Sequence, residues 1–479
     1  MKRVVIIILV MALLSSLFGC TIVDNGKKTT SDDSLKEEIK NKEENSNDGI
    51  DGKKEVNEDE VTIAIWDIHH GQLQIQFPML RYETDRIKED IGINIKYDVI
   101  KAKDEQQFFK KLNTKLYLDK GPTLIYFYNM PTGIYTGSGV ALNLEDKIEN
   151  INNIYDAIKD KNNYFVPIGM KTYFMKINRY EFGELDVEEP GLNWNWDNYV
   201  DIRDKWFKNK GTKLKNYLIK ETYYHDFNQL NIIDIEDKKV NVNTRSVKNI
   251  IRDLRKEFLG GKYKLPDNFK EEDYYKACFK FNSLTQEEKL GKYNNFLNIP
   301  SDYIYPYSGY NGLYPSTLDY EIEKNKIVLP NIKDKGENLY LSGFLVNRNG
   351  ENINKGMEFL NYILSDKTQM KLYKDYKKTV TRFYPVNKNI EDKIKTIEKN
   401  EELNEKATKL KEYQLQRIKN GENKPNRVYK EENMKIFSLK DNLYKDIFKL
   451  IFSDEEYSDS KLEKKLQELE NQYNIYLNE

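Results

Sequence analysis

The fold of this chain is decided by the β-branched run Val61-Thr62-Ile63-Ala64-Ile65-Trp66 and by the segments that follow it. Apolar residues alternate with polar ones over 93–99, and a continuous apolar run covers 124–128. Between these runs, apolar residues recur at helical spacing. We therefore predict the order βαβαβ, which gives an α/β fold with a parallel sheet and helices on both of its faces.

Two helix starts carry capping signals. Asp104 followed by Gln107 predicts the start of a helix whose apolar face is Phe108, Leu112 and Leu116. Ser365 is predicted to cap a short helix that ends near Tyr373. Two further helices are predicted, one with a buried stripe and one at the end of the chain: Trp196, Tyr199, Ile202 and Trp206, and residues 460–476. The pattern over 214–293 is too weak to order its elements.

Length and composition narrow the class of protein. At 479 residues the chain exceeds what one hydrophobic core usually serves, so two or three lobes are expected. Lys and Arg number 77 against 78 Asp and Glu, and this balance provides no basic footprint for nucleic acid. The 2 Cys and 3 His residues lack the spacing of a zinc site. We expect no metal, no cofactor and no nucleic-acid partner.

The first residues are typical of an export signal. Met1-Lys2-Arg3 is followed by an apolar stretch over 4–18, which is shorter than the roughly 20 residues that span a bilayer. The stretch ends in Leu17-Phe18-Gly19-Cys20, which resembles a bacterial lipoprotein signal and implies that Cys20 is the lipid acceptor. Residues 1–20 are thus the expected signal. Residues 21–60 are too polar to build a core and are expected to form a disordered tether.

The body as a whole resembles the family of extracellular solute-binding lipoproteins of ABC importers, of the family-one, sugar-binding type. No single segment is specific for this family, but the order and spacing of all the segments together are. The segments are Thr62-Ile63-Ala64-Ile65-Trp66, Ile91-Gly92-Ile93, Lys111-Leu112-Asn113, Gly121-Pro122, residues 164–169 and 176–179, Asn195-Trp196-Asp197, Gly343-Phe344-Leu345-Val346-Asn347-Arg348 and Met357-Glu358-Phe359-Leu360.

This resemblance implies two interleaved α/β lobes, joined by a hinge and separated by a cleft that closes on a ligand. We expect lobe 1 to comprise 61–170 and 310–380, and lobe 2 to comprise 171–309 and 381–479. We expect a monomer, anchored by its lipid to the outer face of the bacterial plasma membrane. Its expected role is to capture a carbohydrate, in particular an oligosaccharide, and to deliver it to the membrane subunits of an ABC permease.

A carbohydrate site needs aromatic faces and polar groups that bind hydroxyls. Ligands of open α/β sheets bind beyond the carboxyl ends of the strands. Candidate ligand-binding residues therefore follow the first and third strands, precede the Trp196 helix, or lie in a Gly- and Pro-rich segment. They are Trp66, Asp67, His69, Tyr128, Asn129, Trp194, Tyr307 and Tyr310.

Three other functions stay open at this point. The same fold could bind a non-sugar solute such as a peptide or a polyamine, or could serve a sensor in place of an importer. A surface glycosidase is the rival from another class, since it needs only a pair of carboxylates. The chain contains no nucleophile elbow and no phosphate loop, so we expect that it is not an enzyme.

Overall fold

The computed structural model describes residues 59–478 with interruptions, and residues 59–479 form one compact unit. The interruptions are 78–79, 81–85, 119, 211–218, 220–221, 224–225, 228–231, 235–236, 263–264, 267, 281–283, 295–310, 331–338, 376–381, 426–427 and 430–433. The predicted signal with Cys20, the predicted tether up to residue 58, and both Tyr307 and Tyr310 lie outside the described residues.

Strands and helices alternate along the first part of the described chain, and helices dominate its end. The strands are β1 Glu60–Trp66, β2 Asn94–Ile100, β3 Leu124–Tyr128, β4 Phe165–Thr172, β5 Phe174–Asn178, β6 Ile233–Asp234, β7 Lys239–Val240, β8 Lys326–Pro330 and β9 Leu339–Val346. The α-helices are α1 Asp67–Gln76, α2 Arg86–Ile91, α3 Glu105–Leu116, α4 Gly133–Gly137, α5 Arg179–Gly183, α6 Trp196–Lys210, α7 Arg245–Glu257, α8 Glu271–Phe279, α9 Gln286–Leu290, α10 Pro315–Glu323, α11 Ile353–Leu364, α12 Asp366–Lys374, α13 Glu391–Lys399, α14 Glu405–Lys419, α15 Met434–Phe452 and α16 Asp459–Asn478.

The largest sheet has five strands in the order β2-β1-β3-β9-β4. β1 pairs in parallel with β2 and with β3, as the βαβαβ order predicts. β9 pairs antiparallel with both β3 and β4, so the sheet is mixed and not wholly parallel as expected. The reason lies in the chain path: β4 leaves the sheet at the edge where β1 and β3 end, and β9 enters at that same edge and must run in the opposite direction.

Both predicted capping residues are confirmed. The Asp104 carboxylate accepts a hydrogen bond from the Gln107 N–H at 2.8 Å at the start of α3. The Ser365 hydroxyl accepts from the Thr368 N–H at 3.3 Å at the start of α12. These bonds satisfy backbone donors that have no partner inside a helix. The predicted stripe on α6 is buried, and the final helix is α16 with Leu462 and Leu466 in the core.

Buried apolar side chains form two large cores. The first core contains the five-stranded sheet and continues through Tyr384 to Val428. The second core contains the facing strands β5 and β8 together with α6 and α15. A small third cluster lies around Phe174 and Leu410. Two cores agree with the two-lobed α/β fold of the predicted family. None of the described helices is both long and apolar enough to cross a bilayer.

Candidate functional site

The ends of several strands meet at one edge of the five-stranded sheet, which we call the strand-end edge. Trp66 is the last residue of β1, and Tyr128 is the last residue of β3. Tyr128 lies opposite Ser342 near the start of β9, and Ser342 lies opposite Gly169 near the end of β4. This edge is therefore where the predicted strand-end residues come together.

Four rings form a continuous series at this edge, which we call the aromatic row: Trp66, His69, Tyr128 and Phe383. The ring centroids of Trp66 and His69 are 5.2 Å apart, and those of His69 and Tyr128 are 5.4 Å apart. Phe383 stands at right angles to Tyr128 with its centroid 5.3 Å away. Edge-to-face pairs of this kind hold one another in a fixed orientation. The sequence brought forward three of these residues and missed Phe383.

The members of the aromatic row differ in exposure. Trp66 is 7% exposed, stacks on Phe108 at 5.6 Å and donates its indole N–H to the Ala102 carbonyl at 2.9 Å. It is therefore anchored in the first core. Tyr128 is half-buried, so its ring is the part of the row that a ligand can reach in this conformation.

Asp67 lies beside the row and is exposed. It begins α1, and its Oδ1 accepts the Ile68 N–H at 3.0 Å. A carboxylate is stabilised in the first turn of a helix, where the backbone N–H groups point outward. The Asp67 carboxylate is thus accessible, as a group that binds ligand hydroxyls must be.

The two adjacent histidines, His69 and His70, lie in different surroundings. His69 is buried within the aromatic row, whereas His70 packs its ring against Tyr97 at 4.6 Å. The pKa of His70 lies below its usual value because burial disfavours the charged form. His70 is therefore neutral at pH 7, and its Nε2 lies 2.8 Å from Nε2 of Gln74.

Asn129 follows Tyr128 in a left-handed backbone conformation with φ of 48°. Its N–H donates to the Leu341 carbonyl at 2.8 Å, which fixes this conformation. The side chain is only 7% exposed, and its Oδ1 has no hydrogen-bond partner among the described residues. A buried carbonyl oxygen without a partner costs free energy, so this oxygen is a natural acceptor for a donor that is brought by a ligand.

The structure does not bring Trp194 to the aromatic row. Trp194 lies in the second core, is 3% exposed and donates its indole N–H to the Pro330 carbonyl at 2.7 Å. It packs edge-on against Tyr199, inside the stripe from which the sequence had separated it. Its role as a stacking platform stays a prediction, as do those of Tyr307 and Tyr310.

Further residues at the strand-end edge were missed by the sequence analysis. Tyr173 and Tyr340 form an edge-to-face pair at 4.8 Å. The ammonium group of Lys171 lies 4.7 Å from the centre of the Tyr173 ring, close enough for a cation–π contact. Lys171 is the residue opposite Tyr340 in the β4–β9 pair. Only the pairing of two distant strands reveals this group, although Lys171 lies two residues after the predicted segment 164–169.

Comparisons with known proteins support the same kind of molecule. The family of bacterial extracellular solute-binding proteins matches residues 84–405. No curated protein matches the chain.

Several solved structures share the fold at low sequence identity. A putative oligosaccharide periplasmic-binding protein from Synechococcus sp. MITs9220 has a TM-score of 0.57 and 11% identity, over 87% of this chain and 99% of the other. The GacH receptor of Streptomyces glaucescens has a TM-score of 0.54 and 12% identity, over 88% and 99%. The cyclic alpha-maltosyl-1,6-maltose binding protein from Arthrobacter globiformis has a TM-score of 0.51 and 11% identity, over 87% and 98%.

Proposed function

This chain belongs to the family of bacterial extracellular solute-binding proteins, and from that premise we propose that it captures a carbohydrate, in particular an oligosaccharide, and delivers it to an ABC permease. The proposed binding site is the strand-end edge, with the ligand held between two lobes. Proteins of this family bind solutes and are typically not enzymes.

The observation that carries the proposal is the aromatic row together with its polar neighbours. A sugar ring has an apolar C–H face and a rim of hydroxyls, so it needs an aromatic face and hydrogen-bonding groups side by side. Tyr128 offers a half-buried ring, Asp67 an exposed carboxylate and Asn129 a buried carbonyl oxygen.

The ligands of similar structures support the carbohydrate class. The GacH receptor was solved in complex with acarbose and an acarbose homologue, and the Arthrobacter protein is named for a cyclic maltosyl-maltose. At such low sequence identity, the similar structures show that the fold is shared but do not show which ligand this chain binds. The identity of the sugar must therefore be determined by experiment.

We further propose that the lobes follow the two hydrophobic cores. Residues 384–428 contribute to the first core, whereas the sequence analysis assigned everything after 380 to lobe 2. A division that moves 381–428 into lobe 1, moves β8 into lobe 2 and begins the last part of lobe 2 near Ile436 keeps each core within one lobe.

We also propose that Cys20 carries a lipid that holds the protein, as a monomer, at the outer face of the plasma membrane. The support is the lipoprotein-like signal at residues 17–20. Labelling of bacteria with a radioactive fatty acid tests this: the full-length protein should incorporate label, and Cys20→Ala should not. Label retained by the variant would contradict the anchor at this position.

Ligand class is tested by thermal unfolding of residues 59–479 with linear and cyclic maltose-type oligosaccharides. Ligand at 100 times its dissociation constant stabilises by about 2.7 kcal/mol, which corresponds to a rise of about 3 °C in Tm for a body of this size. Short peptides and polyamines form the second arm. A response only in that arm would replace carbohydrate by another solute class.

The site is tested in the same assay with a matched pair of tyrosines. Tyr128→Ala removes the accessible ring of the aromatic row, whereas Tyr117→Ala removes a ring that is 63% exposed beyond the end of α3. We expect Tyr128→Ala to weaken binding about tenfold, equivalent to about 1.4 kcal/mol, and Tyr117→Ala to leave it unchanged. Equal affinity in both variants would place the site elsewhere.

A further inference from the structure

The first passage of the chain between the two cores is very short. Met170 at the end of β4 belongs to the first core, and Met175 in β5 belongs to the second. The segment that joins them, residues 171–174, is completely buried. A change in the angle between the cores must therefore be absorbed by this segment, together with the later passages of the chain between the cores, and by the side chains that hold them.

The side chain of Asn311 makes four hydrogen bonds in and around this passage. Its side chain is fully buried, and its Oδ1 accepts the Thr172 N–H at 3.2 Å and the Leu313 N–H at 3.1 Å. Its Nδ2 donates to the Met170 carbonyl at 3.1 Å and to the Arg382 carbonyl at 2.8 Å. One carboxamide thus uses both donors and both acceptor positions, and it ties three distant segments together.

Gln414 approaches the same passage from α14. Its side chain is 1% exposed, and its Nε2 donates to the Tyr173 carbonyl at 3.2 Å. Gly312 lies against the Gln414 carboxamide, and a Cβ at Gly312 would lie only 2.5 Å from Oε1. A side chain at position 312 would therefore displace the Gln414 carboxamide from this position. α14 itself contributes Leu415 to the first core and Leu410 to the third cluster, so it is packed on both sides of the passage.

The third segment tied by Asn311 leads directly to the aromatic row. Arg382 precedes Phe383, whose carbonyl accepts the Tyr314 hydroxyl at 2.7 Å. Tyr384 exchanges two backbone hydrogen bonds with Met170, at 2.8 and 2.7 Å. The Phe383 ring then stands edge-on to Tyr128. The contacts that hold the passage also hold the last ring of the row.

We propose that Asn311 and Gln414 form the hinge of this protein and that Asn311 is a positioning residue for ligand binding, because it holds the passage between the cores and the Phe383 ring at once. Only the part that concerns ligand affinity rests on the proposed function. Lys171 and Thr172 pair with β9 and Phe174 pairs with β8, so the two strand ladders meet at Tyr173. At this junction the side-chain amides of Asn311 and Gln414 bond to Thr172 and Tyr173, and rotation of these two side chains can re-form the bonds at another lobe angle.

The experiment compares Asn311→Ala with Asn347→Ala in residues 59–479. Asn347 is also fully buried, but among the described residues its side chain bonds to Pro122 and Asn349, away from the passage between the cores. Spin labels at Lys110→Cys in α3 and Lys464→Cys in α16 report the distance between the lobes, in a Cys278→Ala background. We expect a distance distribution about twofold broader in Asn311→Ala and unchanged in Asn347→Ala. Equal distributions would overturn the hinge.

A 4-fluorophenylalanine at position 383 tests the link to the row without any ligand. Its ¹⁹F signal senses the Tyr128 ring and should shift or broaden in Asn311→Ala but not in Asn347→Ala. An unchanged signal would overturn the positioning role. Where a sugar binds, the affinity of Asn311→Ala should fall about threefold to tenfold below that of Asn347→Ala, because the competent arrangement is less populated. Absence of any sugar binding would count against the proposed function alone.

If Asn311→Ala fails to fold, Gln414→Leu provides a second test of the hinge. Gln414 Oε1 has no partner among the described residues, so leucine removes a buried polar group without a bond as well as the bond to Tyr173. We expect this variant to fold and to show a smaller broadening of the same distance distribution. A distribution as narrow as that of the parent protein would exclude Gln414 from the hinge.

Discussion

One substitution can separate the contribution of the Asn129 backbone from that of its side chain. The backbone needs a left-handed conformation, which Asn tolerates and Gly adopts freely. The side chain presents a buried oxygen that has no partner within the described part of the chain. Glycine at this position would keep the first feature and remove the second.

We therefore predict that Asn129→Gly lowers ligand affinity about tenfold, equivalent to about 1.4 kcal/mol, because a ligand donor loses its acceptor. The free energy of unfolding should change by less than about 1 kcal/mol. Titration calorimetry and denaturant unfolding measure the two quantities.

The control is Asn163→Gly. Asn163 also has a positive φ, of 56°, and lies outside the strand-end edge. Its substitution should leave affinity unchanged. If Asn129→Gly bound the ligand as tightly as Asn163→Gly, the Asn129 oxygen would have no part in recognition.

At the scale of elements, three helices near the end of the first core are joined by a buried ion pair. Lys411 in α14 lies 2.9 Å from the carboxylate of Glu398 in α13, and both side chains are at least nine-tenths buried. Tyr373 in α12 donates its hydroxyl to the same carboxylate at 3.0 Å. The pKa of Tyr373 is raised far above its usual value by burial and by Glu398, so it remains a donor throughout the physiological range.

Loss of one partner of this pair should be costly. We predict that Lys411→Met destabilises the protein by about 3–5 kcal/mol, because Glu398 is left buried without a counter-charge. The double substitution Lys411→Met with Glu398→Gln should recover much of that loss. Denaturant unfolding measures both.

The same helix supplies the control. Lys409 pairs with Glu405 at 2.6 Å, but these side chains are 64% and 80% exposed. Lys409→Met should cost less than about 1 kcal/mol, as is usual for exposed pairs. Equal losses of stability in Lys411→Met and Lys409→Met would show that burial adds nothing to the contribution of the ion pair.

At the scale of the whole molecule, the expected motion is closure of two lobes around a ligand. Between the two proposed lobes, exposed contacts away from the hinge include hydrogen bonds from Gln106 to Ser438 at 3.4 Å and from Tyr413 to Asn193 at 2.8 Å, and the ion pair of Lys406 with Glu189 at 3.2 Å. Exposed contacts of this kind add little to the stability of either arrangement. Ligand contacts are then what shifts the population toward a closed form.

We predict that a carbohydrate identified by thermal unfolding lowers the radius of gyration of residues 59–479 in solution scattering. At a ligand concentration near the dissociation constant of the parent protein, Tyr128→Ala should stay close to the radius of the unliganded protein, because it binds about tenfold more weakly. A radius that is identical with and without a saturating ligand would contradict closure.

Local features of the sequence were sufficient for the elements. The capping residues Asp104 and Ser365, the apolar stripe of α6 and the parallel strands β1 to β3 were all predicted, because they depend on residues that are close in the chain. The family could also be predicted, since the order of short segments along the chain is itself a property of the sequence.

The remaining features of the fold and the site depend on the path of the chain through the tertiary structure. The direction of β9, the burial of Trp194 beside Pro330 and the entry of Phe383 into the aromatic row all depend on contacts between residues far apart in the chain. Contacts between distant residues leave no periodic pattern in the sequence. Each partner has the same local sequence preferences in any tertiary arrangement, so these preferences do not identify the residue that it contacts. By itself, the sequence determined which residues form strands, helices and caps and which kind of protein they build. Only the tertiary structure decided which rings and amides meet at the strand-end edge and at the hinge, since buried polar and aromatic groups find their partners through packing in three dimensions.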